Sequence, residues 1–226
     1  MPFPAVWLVA LVAPGPQESP HPMSKQKQLS RARRVAVATL LYLGAVAMGL
    51  GSAWWVLKKA PWLNQSLQVG AWKTNLRAGS ADADLYIRAS IAVNALLALD
   101  RSETMYFVAG TDDDGRALRS SCTYRVSGTP PKARWWSITA YADDMFLFDA
   151  PNQHYSLNGS TAKLDDQGRF VFVLGPSAPT DRTYWVPTVG RGGAVLTLRL
   201  YNPNPELQAN PASLVPVRIE RQGDCV

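Results

Sequence analysis

Three groupings of side chains in this sequence could do chemistry. The first is a run of acids, Asp112, Asp113 and Asp114 ahead of Gly115, which invites a calcium reading. The calcium loop of an EF-hand alternates its ligands and places a glutamate at its far end, where this chain has Ser121. A solvated turn is therefore expected there. The same holds for Asp143-Asp144 and Asp165-Asp166, because strand ends need polar turn formers. The second grouping is histidine. His154 is the one histidine beyond the N-terminal leader that holds His21, so a multi-histidine metal site is excluded. A hydrolase triad would need His154 beside a serine and a carboxylate, yet the chain has no G-x-S-x-G elbow, and Ser120-Ser121-Cys122 supplies no nucleophile context. A glycine-rich phosphate loop, a Cys-x-x-Cys pair and a dinucleotide fingerprint are also missing. No catalytic residue, metal or cofactor is assigned.

The third grouping is aromatic and polar. Trp136, Tyr141, His154, Tyr155, Trp185, Arg199 and Tyr201, with Trp135 and Tyr184 beside them, fall on or next to expected strands. Aromatic rings with a few convergent polar groups line sugar and small-ligand clefts, so those seven are the candidate ligand-binding residues. Core packing competes for the same side chains. The two cysteines, Cys122 and Cys225, either pair, closing a loop of about 100 residues worth up to about 4.7 kcal/mol, or stay separate thiols. Both readings are open at this stage.

These residues need a scaffold, and the periodicity supplies one. Asp82 and Asp84 can satisfy orphan amides at a helix start, and Leu85, Ile91, Ala92, Ala95 and Leu96 recur at near-helical spacing to about Leu99. After that the chain reads as sheet: 105–109 and 122–126, joined by a hairpin-like connection through 111–115, then 135–141, 145–148, 170–174 and 194–201. In 194–201, Leu196, Leu198 and Leu200 share one face, while Val195, Thr197, Arg199 and Tyr201 share the other. Val215, Val217 and Ile219 repeat the alternation, and Pro216 places that strand at a sheet edge. Short strands at steady intervals with Gly, Pro and Asp turns predict a mainly β fold, a jelly-roll-like β-sandwich over 81–226 with one short helix.

The first sixty residues predict an address. Residues 35–57 run without a charge and span about 34 Å as a helix, enough to cross a bilayer. Lys25, Lys27, Arg31, Arg33 and Arg34 precede that segment and Lys58 and Lys59 follow it, which puts residues 1–34 in the cytoplasm as a basic tail. Trp54, Trp55 and Trp62 cluster where the segment leaves the bilayer, and residues 58–80 read as a linker. A cleaved signal peptide ending near Ala45-Val46-Ala47 is the competitor, but the apolar run continues past Ala47 and favours a signal anchor. Met23 opens the basic flank, which marks the proline-rich 1–22 as an upstream extension that need not be native. Ala45 with Gly49, and Ala47 with Gly51, space small residues as a helix-pairing face does.

The formal net charge of +6 has a uniform explanation: from residue 61 onward Lys and Arg balance Asp and Glu, and the whole excess lies before it. A neutral body offers no basic face to displace phosphate counterions, so nucleic acid is excluded as a partner. The expected setting is the inner membrane of a bacterial envelope, single-pass, with a periplasmic C-terminal domain.

Four ordered stretches, 136–141 (WSITAY), 152–157 (NQHYSL), 185–187 (WVP) and 198–203 (LRLYNP), resemble the successive signatures of the bacterial family called domain of unknown function 1214. His154 stands where that family usually has an arginine, and Val186 where it usually has leucine. The resemblance implies a β-sandwich-like domain and a companion, domain of unknown function 1254, here supplied by a separate chain. It implies no reaction. Two function classes follow: a non-catalytic binding or assembly module acting with that companion, or a hydrolase-like envelope enzyme acting on a small molecule or glycan.

Overall fold

The computed structural model describes residues 25–59, 66–93, 99–190 and 192–225. The chain divides into two compact units between Trp54 and Trp55. In the first, α1 (Lys25–Lys59) is one continuous helix whose stretch Arg31–Val56 has a mean hydropathy of 1.8 and is long and apolar enough to cross a membrane. Leu40, Leu41 and Leu50 are about 70% exposed. Trp62 and residues 1–22 lie outside the described residues.

The second unit is mainly β, with two sheets. β1 (Ser66–Val69), β2 (Trp72–Asn75), β3 (Thr104–Ala109), β9 (Ala194–Pro203), β5 (Ala133–Ala142) and β6 (Ser156–Asn158) form one, antiparallel throughout, in that spatial order. β10 (Arg218–Gln222), β4 (Thr123–Gly128), β7 (Phe170–Gly175) and β8 (Trp185–Pro187) form the other, where β7 and β8 run parallel. Alternation decides what is buried. Phe107, Ile138, Leu196, Leu198 and Leu200 of the first sheet and Tyr124, Phe170, Phe172 and Ile219 of the second are at most 1% exposed and belong to one core. Fully burying a large apolar side chain contributes about 1.5–3 kcal/mol. Trp136 of β5 stacks on Phe170 of β7 with ring centroids 4.8 Å apart, which joins the sheets face to face in a sandwich-like arrangement.

The helix α2 (Leu85–Val93) starts where expected, since Asp84 Oδ1 accepts from the Ile87 amide at 2.9 Å, an N-cap bond. Its expected continuation through Ala95 and Leu96 lies outside the described residues. Two further short elements join it, α3 (Pro205–Ala209), capped by Asn204, and a 3-10 turn, Pro211–Ser213, capped by Asn210. Each pairs a proline in the first turn with an asparagine cap, a strong local start signal.

Four sequence expectations need correction. The segment 58–80 is not simply a linker, because β1 and β2 form a hairpin in it and β2 pairs with β3 at Lys73↔Val108. The connection through 111–115 does not return β3 upon β4; those strands belong to different sheets, and the chain crosses between them after a local turn closed by Thr111↔Ala117. Residues 145–148 form no strand, since Met145 takes φ 66°, outside the strand region, and pairing is reduced to single bridges such as Tyr141↔Leu147. Val215 is 67% exposed rather than inward, because β10 starts only after Pro216, although β10 does lie at the sheet edge.

Asp112 also departs from the solvated turn. Its side chain is 1% exposed, accepts from the Arg116 amide at 2.8 Å and Arg116 Nε at 3.1 Å, and lies 3.5 Å from Arg221 Nε. Asp113 accepts from Arg218 Nε at 3.0 Å, and Asp114 pairs with Arg116. The three acids thus answer three arginines and fasten the β3–β4 crossing to β10. Cys122 and Cys225 are joined in a disulfide.

Candidate functional site

The seven candidate residues do not converge on one cleft. Trp136 leaves the set first: even-numbered positions of β5 face the core, and Trp136 is 4% exposed against Phe170. Odd-numbered positions face the other way. Tyr141 and Arg199 meet on that outer face of the six-stranded sheet, where Arg199 donates to Tyr141 Oη at 2.9 Å and to Thr139 Oγ1 at 3.3 Å, with its guanidinium carbon 5.4 Å from the Tyr141 ring centroid. Tyr201 lies on the same face, its ring 5.3 Å from that of Trp135, which is its cross-strand partner. The resulting strip carries an aromatic pair, a guanidinium and several hydroxyls.

A second cluster forms around the 152–155 turn. Asn152 Oδ1 accepts from the His154 amide at 3.0 Å, and Asn152 Nδ2 donates to the Trp185 carbonyl at 3.1 Å and lies 3.2 Å from His154 Nδ1. The His154 ring stacks on Tyr184 at 4.6 Å and 10°. Trp185 Nε1 donates to the Gly175 carbonyl at 2.9 Å and Tyr184 Oη to the Ser156 carbonyl at 3.0 Å, so both rings are tied to backbone. Burial pushes the Tyr184 hydroxyl above its ordinary value, against a smaller opposing bond with Thr161. Around His154 this arrangement holds amides, carbonyls and rings. It holds the imidazole in place; among the described residues it does not pair that imidazole with a serine and a carboxylate.

Tyr155 belongs to a third place. With Leu147, Phe148, Asp149, Ala150 and Pro151 it lines an open groove of about 520 Å³, near which Phe146 is 67% exposed. A smaller cavity of about 130 Å³ lies between the turn at 129–132 and the 204–215 segment, with the Lys132–Glu206 ion pair at its edge. The acids with displaced pKa values sit in neither. Asp100, Asp165 and Asp181 are exposed turn residues held below the ordinary carboxylate value, chiefly by the Ser102 side chain, the Arg169 amide and the Thr183 side chain respectively. Among the described residues no group of three His, Cys, Asp or Glu could hold a metal ion.

The strands from β3 to β9 coincide with a known sequence pattern: residues 103–205 match the family whose description is "Protein of unknown function (DUF1214)". The match covers a little under half of the chain. Its matched part includes Tyr141, His154, Trp185 and Arg199 and leaves out β1, β2, β10 and Cys225. The matched stretch and its neighbouring elements resemble the crystal structure of the VPA0106 protein from Vibrio parahaemolyticus, at 20% identity and a TM-score of 0.52, over 65% of this chain and 37% of that one. An uncharacterised protein from Burkholderia cenocepacia is similar at 16% identity and a TM-score of 0.38, over 53% of this chain and 29% of that one. No curated protein matches the chain. The Vibrio likeness shows the fold, and the chain spans little more than a third of that protein.

Residues outside the seven candidates stand beside them. Thr139 and Thr197 are cross-strand partners on the Arg199 face, and Trp135, not Trp136, is the tryptophan on it. Parity along β5 and β9 carries that signal, once the register is known.

Proposed function

We propose that the protein is a membrane-anchored binding module of the bacterial envelope, held in the inner membrane by α1 with its basic end in the cytoplasm, whose periplasmic two-sheet domain docks a companion protein of the domain of unknown function 1254 type. The observation that carries this reading is the apolar rim of the open groove. Phe146, Leu147, Tyr155 and Val189 are 67%, 43%, 40% and 37% exposed, and the bridges Tyr141↔Leu147 and Asp149↔Val189 hold their segments beside the folded body. Large apolar side chains gathered at a groove mark an interaction surface, and aromatic ones lose little rotamer entropy when covered. The longer Vibrio chain supports a companion, since the matched fold makes up 37% of it and the remainder is additional protein.

Co-purification from mild detergent tests the docking. The native chain should carry the companion with it, and the doubly charged variant Phe146→Glu with Leu147→Glu should release it while the exposed positions leave folding intact. A native chain recovered alone after crosslinking in intact cells ends the reading. For the orientation, a C-terminal alkaline phosphatase fusion should be active, and an inactive one would reverse the topology.

A further inference from the structure

Arg199 lies near the middle of the six-stranded sheet, on the face opposite the core, with Tyr106 of β3 and Ser137 of β5 as its cross-strand neighbours. Its contacts are neutral. It donates to the hydroxyls of Thr139 and Tyr141 and keeps its remaining N–H donors. Elsewhere Arg77, Arg116, Arg169 and Arg218 each hold a carboxylate, whereas no ion pair to Arg199 is found among the described residues. A partly buried guanidinium without a counter-charge bears a desolvation cost that an incoming anion would offset.

A second, independent observation points to the same place. Thr197, two residues before Arg199 on the same strand face, is wholly buried, and its Oγ1 has no hydrogen-bond partner. It sits directly across from Thr139, which Arg199 touches. Buried hydroxyls are normally satisfied, so this orphan, closed to solvent, leaves polar capacity unused beside the cation. On the other side of Arg199, about 7 Å along the strand, the tilted Trp135–Tyr201 pair offers a ring surface, and Trp135 is 37% exposed.

We propose that this outer face binds a sugar bearing an acidic group. Arg199 takes the carboxylate or phosphate by its fork of donors, the Tyr141 hydroxyl meets a sugar hydroxyl, and the Trp135–Tyr201 pair carries the apolar face of the ring. Rings that stack and polar groups that orient are the general recipe of such sites. The groove residues used for docking take no part, so the two readings stand or fall separately.

Calorimetric titration of the full chain in detergent tests it, with tri-galacturonate, glucose 6-phosphate and neutral maltotriose as probes. At least one acidic probe should bind and maltotriose should not; the stronger acidic probe distinguishes carboxylate from phosphate. Arg199→Gln should weaken binding at least tenfold and Arg199→Lys less. Trp135→Ala should weaken the acidic sugar while leaving inorganic phosphate unaffected. Tyr141→Phe keeps the ring and removes the hydroxyl, so the free protein should stay folded while sugar binding falls severalfold; this variant decides the matter if Arg199→Gln does not fold. No binding of either acidic probe, equal binding of maltotriose, or unchanged affinity in the folded Arg199 and Tyr141 variants overturns the proposal. The docking variant Phe146→Glu with Leu147→Glu should bind the sugar as the native chain does.

Discussion

Cys122, just ahead of β4, is bonded to Cys225, three residues beyond β10, so the disulfide continues the antiparallel ladder that ends at the Gln222↔Thr123 pair. The bond closes a separation of 103 residues and therefore confines most of the matched stretch in the unfolded chain. Reduction, or Cys225→Ser, should lower stability by about 2–4 kcal/mol, the typical range for losing a disulfide. Urea denaturation with and without reductant measures it. Coincident curves would remove the structural role.

Asp112 is the acid whose loss should matter most among the three in its run. Asp112→Ala removes the acceptor of the Arg116 amide and leaves the Arg221 guanidinium, 17% exposed, beside an uncompensated cavity. A cost of about 3 kcal/mol is expected, against under about 1 kcal/mol for Asp114→Ala, whose partners are solvent-screened. Denaturation midpoints of the two variants should separate clearly.

Trp72 of β2 is fully buried, and its Nε1 donates to the Val217 carbonyl at 2.7 Å, tying the first sheet to the segment that leads into β10. Trp72→Phe keeps an aromatic ring and orphans that carbonyl, so a loss of about 1–3 kcal/mol is expected. A change under about 0.5 kcal/mol in a urea titration would show that the hairpin contributes no tie.

Asp165 predicts a pH effect with a definite sign. The Arg169 amide, 2.8 Å away, is the main cause that holds its carboxyl below the ordinary 3.8, helped by the Gln167 amide and the Arg169 charge and opposed by desolvation. A depressed folded pKa means that the stabilisation is fully present above 3.8 and is lost as pH falls through the lowered value. Asp165→Asn should therefore flatten the acid limb of a melting-temperature profile between about pH 5 and about pH 2 and leave neutral behaviour nearly unchanged. A carboxyl titration at or above 3.8 in the native protein would contradict it.

Much of the scaffold was legible because its strongest strands obey period two. Leu196, Leu198 and Leu200 announced the inner face of β9, and each is buried without remainder. The β1–β2 hairpin was missed because each strand is four residues long, although Gly70 between them carried a turn signal. It sits at φ 60°, and a Cβ there would come 3.1 Å from Pro216. The candidate site was legible in composition and not in direction. Trp135 and Trp136 are neighbours in sequence on opposite faces of β5, and nothing short of the β5–β9 register tells which one shares a surface with Arg199. Asp112 looks like Asp113 and Asp114 in sequence. The arginine that distinguishes it, Arg221, comes from a strand roughly a hundred residues later, beyond the reach of local patterns.

The position of β9 between β3 and β5 has a consequence for how the molecule is made. A chain synthesised from its N-terminus completes β3 and β5 long before the strand that belongs between them exists, and each waits with one open edge until residue 203 has emerged. β10 and Cys225 come later still, so the second sheet too lacks an edge strand until residues 218–222 have emerged. Both sheets therefore depend on pairings between strands far apart in the chain, the kind of topology that folds slowly.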